Sequence, residues 1–180
     1  QTAFKIALPV LPYRKPTIIK SIKNIPEVLL KKKRKNVLII TDSGITALGL
    51  TKSLEATLLE NGISYTLYDE TVANPTTVNV ADAVNLYHQH DCSAIIGFGG
   101  GSSMDCAKAV GACIARPHTS LAKMKGILKV RRRLPLLIAI PTTAGTGSET
   151  TLAAVITDAE TRHKYAINDF PLIPKYAVLD

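Results

Sequence analysis

The chain has 180 residues, of which 46% are hydrophobic, enough for one sizeable core and therefore a single domain. No apolar run approaches the roughly 18 residues of a membrane span, no secretory signal opens the chain, and three cysteines are too few for a disulfide framework, so a cytoplasmic protein with no membrane partner is expected. The net charge of +8 comes from two runs, 31–35 and 131–133, since the other 14 cations offset the 14 acids; without a nucleic-acid motif beside them, these runs are interpreted as solvated surface and no nucleic-acid partner is expected.

Short apolar runs rich in β-branched residues recur along the chain and predict strands. Several are nearly continuous rather than alternating, which is typical of strands that are buried on both faces of a sheet. The predicted strands are 4–8, 37–41, 64–68, 94–98, 136–140 and 153–157.

Helical patterns fill the intervals between these strands. A short helix is predicted to begin at Pro26 and to end in the first basic run, where cations favour the negative end of the helix dipole. Leu50, Leu54 and Leu58 form one stripe of a second helix, which Asn61-Gly62 would stop. Strands that alternate with helices predict an α/β fold with a doubly wound, mostly parallel, Rossmann-like sheet. The longer predicted helices are 46–61, 77–90 and 103–115, and the least ordered connection is 116–133.

The strongest local signal is the run Gly99-Gly100-Gly101-Ser102, which follows an apolar strand and precedes a helix. Glycines let a backbone approach an anion closely, and a helix N-terminus offers free N–H donors and a positive dipole end. Ser102 and Asp105 have the spacing of a capping box that would fix this helix start. The usual dinucleotide fingerprint needs glycine where Ser102 stands, so a connection with a purely structural role remains an alternative.

A second polar loop, 141–149, follows the next buried strand and contains four hydroxyl groups and two glycines in nine residues. Ligands of doubly wound sheets bind at the carboxyl ends of the strands. The two loops are therefore predicted to face one ligand, and a Ser/Thr-rich turn without a ligand is the alternative.

The remaining candidates for chemistry are weaker. The rings of His88-Gln89-His90 would point apart on a helix, and all four histidines are interpreted as ordinary residues. Cys106 and Cys113 are expected to be small core side chains. Asp105 and Lys108, three residues apart, are interpreted as a pair on one helix. No residue of the chain is assigned a catalytic or metal-ligating role.

In combination, these motifs resemble the iron-containing (metal-dependent, group III) alcohol dehydrogenase family. The motifs occur in the family's order and at similar spacing, and they cover nearly the whole chain. They are Gly99-Gly100-Gly101-Ser102 with Asp105 and Lys108, then Asn74-Pro75-Thr76, residues 141–149, and the final stretch from Thr157-Asp158 through Lys164 to residues 174–180.

The resemblance implies that residues 1–180 form a dinucleotide-binding domain with a dehydroquinate-synthase-like architecture. It also implies a helical domain, beyond Asp180, that binds a divalent metal, either iron or zinc. The whole enzyme would transfer a hydride between NAD(P) and a small-molecule alcohol, with an aldehyde or ketone as product. A homodimer is compatible with this interpretation. The alternatives are an NAD-using, dehydroquinate-synthase-like lyase and a non-catalytic nucleotide-binding module.

The resemblance also assigns cofactor contacts to individual residues. Gly101 and Ser102 would contact the pyrophosphate, Asn74 would lie near the adenosine, and Thr142 and Thr143 would line the cofactor cleft. The full set implied is Asp42, Asn74, Gly99, Gly100, Gly101, Ser102, Thr142, Thr143, Thr151 and Lys164.

Asp42 is the residue on which the choice of cofactor depends. At the end of strand 37–41 it would face the adenine ribose, where a carboxylate accepts a hydrogen bond from a free 2′-hydroxyl and repels a 2′-phosphate. NAD is therefore expected in preference to NADP. The alternative is that Asp42 is a turn or helix N-cap residue.

Overall fold

A computed structural model describes residues 13–143 and 145–179. The strands are β1 (Thr17–Ile19), β2 (Asn36–Ile40), β3 (Ser64–Tyr68), β4 (Ala94–Gly99), β5 (Gly126–Ile127), β6 (Leu136–Pro141), β7 (Ala153–Thr157), β8 (Lys164–Asn168) and β9 (Tyr176–Val178). The helices are α1 (Ile25–Lys31), α2 (Ser43–Ala47), α3 (Lys52–Glu60), α4 (Thr77–Gln89), α5 (Gly101–Ala115) and α6 (Leu121–Met124), with 3₁₀ turns at Ile22–Asn24 and Phe170–Leu172.

The described residues form a main sheet of six parallel strands in the order β1-β9-β6-β4-β2-β3. Successive side chains of a strand point to opposite faces, and here both faces are covered. Leu38 and Ile40 of β2 pack in one core with α4 and α5. Val37 and Ile39 pack in the other core with α1 and α3. The doubly wound parallel sheet expected from the sequence is confirmed.

A second, three-stranded sheet has the order β5-β8-β7, in which β7 and β8 are antiparallel. The predicted strand 153–157 forms as β7, but it belongs to this small sheet and contributes nothing to the main one. The sequence patterns missed β1, β5, β8 and β9, which are only two to five residues long. The predicted strand 4–8 lies outside the described residues.

The predicted helix 46–61 is wrong in extent, because it forms as the separate helices α2 and α3. Gly49 has a left-handed φ of +68° and interrupts it. Leu50 is 45% exposed, whereas Leu54 and Leu58 are buried. The 116–133 connection also holds more structure than expected, since it contains α6, β5 and a buried Val130.

Both basic runs are exposed. Helix α1 has Pro26 in its first turn and ends at Lys31, as the sequence predicts. Among the described helices, none combines the length and the apolar composition needed to cross a bilayer.

Candidate functional site

A cavity of about 620 Å³ opens at the carboxyl ends of β2, β4 and β6. It brings together four chain segments that are far apart in sequence. Six of the ten residues that the resemblance assigns to cofactor contact are among those that line it. The described lining residues are Asp42, Ser43, Ile45, residues 70–73, Gly100, Gly101, Ser102, Ser103, Thr142 and Thr143. We call this cavity the cleft.

The glycine run keeps the two polar loops close together without filling the space between them. Gly99 has a φ of +137°, and a Cβ built on it would lie 2.7 Å from Ser103 Oγ, so both the backbone and the packing require glycine. The carbonyl of Gly99 accepts a hydrogen bond from the Thr142 amide at 3.0 Å. A Cβ on Gly100 would lie 3.5 Å from Thr143 Oγ1. A larger side chain at Gly100 would therefore occupy the cleft.

The capping box predicted for Ser102 and Asp105 is wrong. The N-cap of α5 is Gly100, and no side chain in the described part of the chain caps this helix. Ser102 lies in the first turn, where its hydroxyl accepts a hydrogen bond from the Asn74 amide at 3.3 Å. The Asp105 carboxylate accepts one from the Val155 amide at 3.2 Å. The helix thus starts at the cleft without a side-chain acceptor on its first amides, which leaves that end suited to an anion.

Asp42 lies in the cleft and caps a helix at the same time. Its Oδ1 accepts a hydrogen bond from the Ile45 amide at 3.1 Å and forms the N-cap of α2. Its Oδ2 accepts one from Ser103 Oγ at 3.3 Å, beside the glycine run. Glu70 is a second acidic residue that lines the cleft. The N-cap and the cleft-facing interpretations of Asp42 are therefore compatible.

Asn74 and Lys164 lie just outside the cleft and connect it to the small sheet. Asn74 has a left-handed φ of +60°, a conformation that asparagine tolerates better than most residues. Its amide binds Ser102, and its side-chain oxygen accepts a hydrogen bond from Lys164 Nζ at 2.6 Å. Asn74 thus links the first turn of α5 to Lys164 at the start of β8.

Lys108 makes contacts that the sequence analysis missed. It interacts electrostatically with Asp105, the partner predicted for it, but its hydrogen bonds go to other residues. The side chain is fully buried, and Nζ donates hydrogen bonds to the Thr151 carbonyl at 2.8 Å and to Thr151 Oγ1 and the Ala153 carbonyl at 2.9 Å. Burial lowers the pKa of Lys108 to about 8, against the opposing effect of nearby carboxylates. Three acceptors match the three donors of an ammonium group. The signal in the sequence was a lysine within the otherwise apolar stretch 106–110.

The family model for iron-containing alcohol dehydrogenases matches residues 18–180. The chain belongs to the iron-containing alcohol dehydrogenase family. It is 41% identical over 146 residues to the probable alcohol dehydrogenase EutG of Escherichia coli (strain K12), covering 81% of this chain and 37% of that protein. It is 34% identical to the NAD-dependent methanol dehydrogenase of Bacillus methanolicus, over 81% of this chain and 38% of that protein.

Among solved structures of the family, a crystal structure of 1,3-propanediol oxidoreductase superimposes with a TM-score of 0.87 at 30% identity. The match covers 93% of this chain and 45% of that one. The chain therefore spans less than half the length of these relatives. The resemblance predicted from the motifs is confirmed.

The iron implied by the family name has no fitting set of ligands in the described residues. Within 13–143 and 145–179, no group of three or more His, Cys, Asp or Glu side chains could hold a metal ion.

The cysteines of α5 are core side chains, as predicted. Burial raises the pKa of Cys106 to about 12 and that of Cys113 to about 11, so both remain protonated thiols at neutral pH.

Replacing Lys108 with methionine is expected to destabilise the segment around Thr151 and Ala153, to which Lys108 donates its hydrogen bonds. The substitution keeps a long apolar side chain but leaves three oxygens without their donor. Amide hydrogen exchange of residues 148–155 should quicken at least about tenfold, equal to about 1.4 kcal/mol of opening free energy. Lys123→Met, on the surface of α6, is the matched control. Equal exchange rates in both variants would show that Lys108 anchors nothing.

Proposed function

We propose that the chain is the cofactor-binding part of an enzyme that transfers a hydride between NAD and a primary or secondary alcohol, yielding an aldehyde or ketone. Residues 1–180 form the dinucleotide-binding domain, and the metal that activates the alcohol is bound by another domain of the whole enzyme. The observation that carries the proposal is the convergence of Asp42, Gly100–Ser102 and Thr142-Thr143 on one cleft. The name of the NAD-dependent methanol dehydrogenase relative supports the choice of NAD.

The residues of the cleft fit the parts of a dinucleotide. Its volume of about 620 Å³ lies within the usual range of ligand sites, about 300–1,000 Å³. The turn at Gly100 and the first amides of α5 would bind the pyrophosphate, because Gly100 has no side chain to block an anion from these donors. The hydroxyls of Thr142 and Thr143 would donate hydrogen bonds from the facing loop. Asp42 would accept a hydrogen bond from the adenine ribose.

The division of labour between the domains follows from what these residues can do. NAD, when bound, supplies a ring carbon that accepts or returns a hydride. The described residues bind and orient the cofactor, and they offer no metal-ligating group that could stabilise a developing alkoxide.

The purified 180-residue chain is therefore expected to bind NADH without oxidising alcohols. Binding can be followed by the rise in NADH fluorescence. NADH production from ethanol or 1,3-propanediol should stay at the level of a protein-free control, with or without added Fe²⁺ or Zn²⁺.

Two results would contradict this proposal in different ways. Failure of a folded chain to bind NADH would contradict the assignment of the cleft. NADH production that withstands a chelator would contradict the division into domains, because the catalytic groups would then lie within this chain.

A further inference from the structure

The two basic runs converge on a second cavity, although about 100 residues separate them in the sequence. The cavity measures about 470 Å³ and is lined by uncharged residues and five cations. Among the described residues that line it, none is acidic. The five cations are Arg14, Lys32, Arg34, Arg133 and Lys175. We call this cavity the basic cavity.

The parallel topology explains why these side chains meet. Lys32 and Arg34 precede β2, Arg133 precedes β6, and Arg14 and Lys175 precede β1 and β9. The amino ends of parallel strands lie together at one end of the sheet, and the cleft lies at the carboxyl ends of the strands. The basic cavity is therefore separate from the proposed cofactor site and does not depend on it.

The charges in the basic cavity are not balanced from within. The Arg14 guanidinium is half-buried and donates a hydrogen bond to the Ile173 carbonyl at 2.8 Å, which holds it in place. Burial and the positive charge of Arg133 lower the pKa of Arg14. The end of α5 lines the same cavity, but a helix C-terminus carries only about half a negative charge. No acidic side chain among the described lining residues offsets the remaining positive charge.

We propose that the basic cavity binds a small polyphosphate anion, of the pyrophosphate or triphosphate type. Three of its five cations are arginines, whose planar guanidinium groups match phosphate oxygens in pairs. A concave site of this size encloses a compact anion, whereas a nucleic-acid duplex needs an extended surface. The hydrogen bond from Arg14 to the Ile173 carbonyl orients its guanidinium before an anion binds, which lowers the conformational entropy lost on binding.

Isothermal titration of the full chain with inorganic triphosphate tests the proposal. The double variant Arg34→Gln, Arg133→Gln removes two cavity arginines, one from each basic run. The control variant Lys31→Gln, Arg132→Gln also removes one cation from each run, but neither of these residues lines the basic cavity. Because the net charge falls equally in both, a difference between them reports local contacts. The cavity variant should bind triphosphate at least about tenfold more weakly than the control variant.

Thermal unfolding provides a second measurement, which also reports the stability of each variant without anion. Without anion, the cavity variant should unfold at the same temperature as the wild type or a higher one, because two mutually repelling charges are gone. Triphosphate should raise the unfolding temperature of the wild type and the control variant more than that of the cavity variant. Equal weakening in both variants, absence of binding by the wild type, or tighter binding of a DNA duplex than of triphosphate would each overturn the proposal.

Discussion

Replacing Gly100 with valine is expected to weaken NADH binding by at least about thirtyfold, equal to about 2 kcal/mol. The position has a φ of −81°, which valine accepts, so the backbone need not change. The added side chain would extend from a Cβ that lies 3.5 Å from Thr143 Oγ1 and would fill the space between the two polar loops. It would also keep the pyrophosphate away from the first amides of α5.

The control for this substitution is Ala81→Val, which adds bulk of the same kind on the exposed face of α4. Calorimetric titration would measure the NADH affinity of both variants, after a cooperative unfolding transition in urea has shown that each is folded. NADH affinity that is unchanged in Gly100→Val would mean that the phosphates bind elsewhere.

Replacing Asp42 with asparagine is expected to shift the preference from NAD toward NADP by at least about tenfold. Two like charges about 4 Å apart near a protein surface repel by about 4 kcal/mol, and the substitution removes this repulsion from a 2′-phosphate. Asparagine is also a good helix N-cap residue, so it can keep the hydrogen bond from the Ile45 amide. Glu70 remains in the cleft lining and limits the gain.

The comparison with Asp42→Gly separates the two contacts of this carboxylate. Glycine removes both the charge and the side-chain cap, so it should shift the cofactor preference and also lower the stability of α2. Affinities for NADH and NADPH, measured on both variants, give the ratio directly. An unchanged ratio in both would leave Asp42 as an N-cap residue only.

The part of the fold that the sequence predicts well is the part with buried, continuous apolar runs. Strands β2, β3, β4 and β6 and helices α4 and α5 begin and end within two residues of the predicted limits. The short strands β5 and β9 are too brief to show a period. The run that forms β7 was identified correctly, but no local pattern states which sheet a strand joins.

The cleft was predictable to the extent that its residues lie in motifs. The glycine run and Thr142-Thr143 follow buried strands of one parallel sheet, so their meeting follows from topology. The three bonds of Lys108 link it to residues 43 and 45 positions away, and spacing on its own helix suggested Asp105 instead. The convergence of the basic runs has the same origin, because only the strand order places their ends side by side.

The way the two polar loops are tied together decides which side of the cleft can move. The Gly99 carbonyl, at the end of β4, accepts a hydrogen bond from the Thr142 amide, and Lys108 of α5 binds Thr151 just after the second loop. The two loops are thus tied to each other and, through Thr151, to α5. We expect them to move as one body with this helix. The opposite side consists of residues 42–45 and 70–73, which include the exposed Ser43 and Val72. Asp42 forms a bridge with Glu70 and accepts one side-chain hydrogen bond from Ser103 of α5. Because this side is the more exposed one, we expect cofactor entry and release to proceed by its displacement. Residues there other than Asp42 should then control the rate of cofactor exchange more than the affinity.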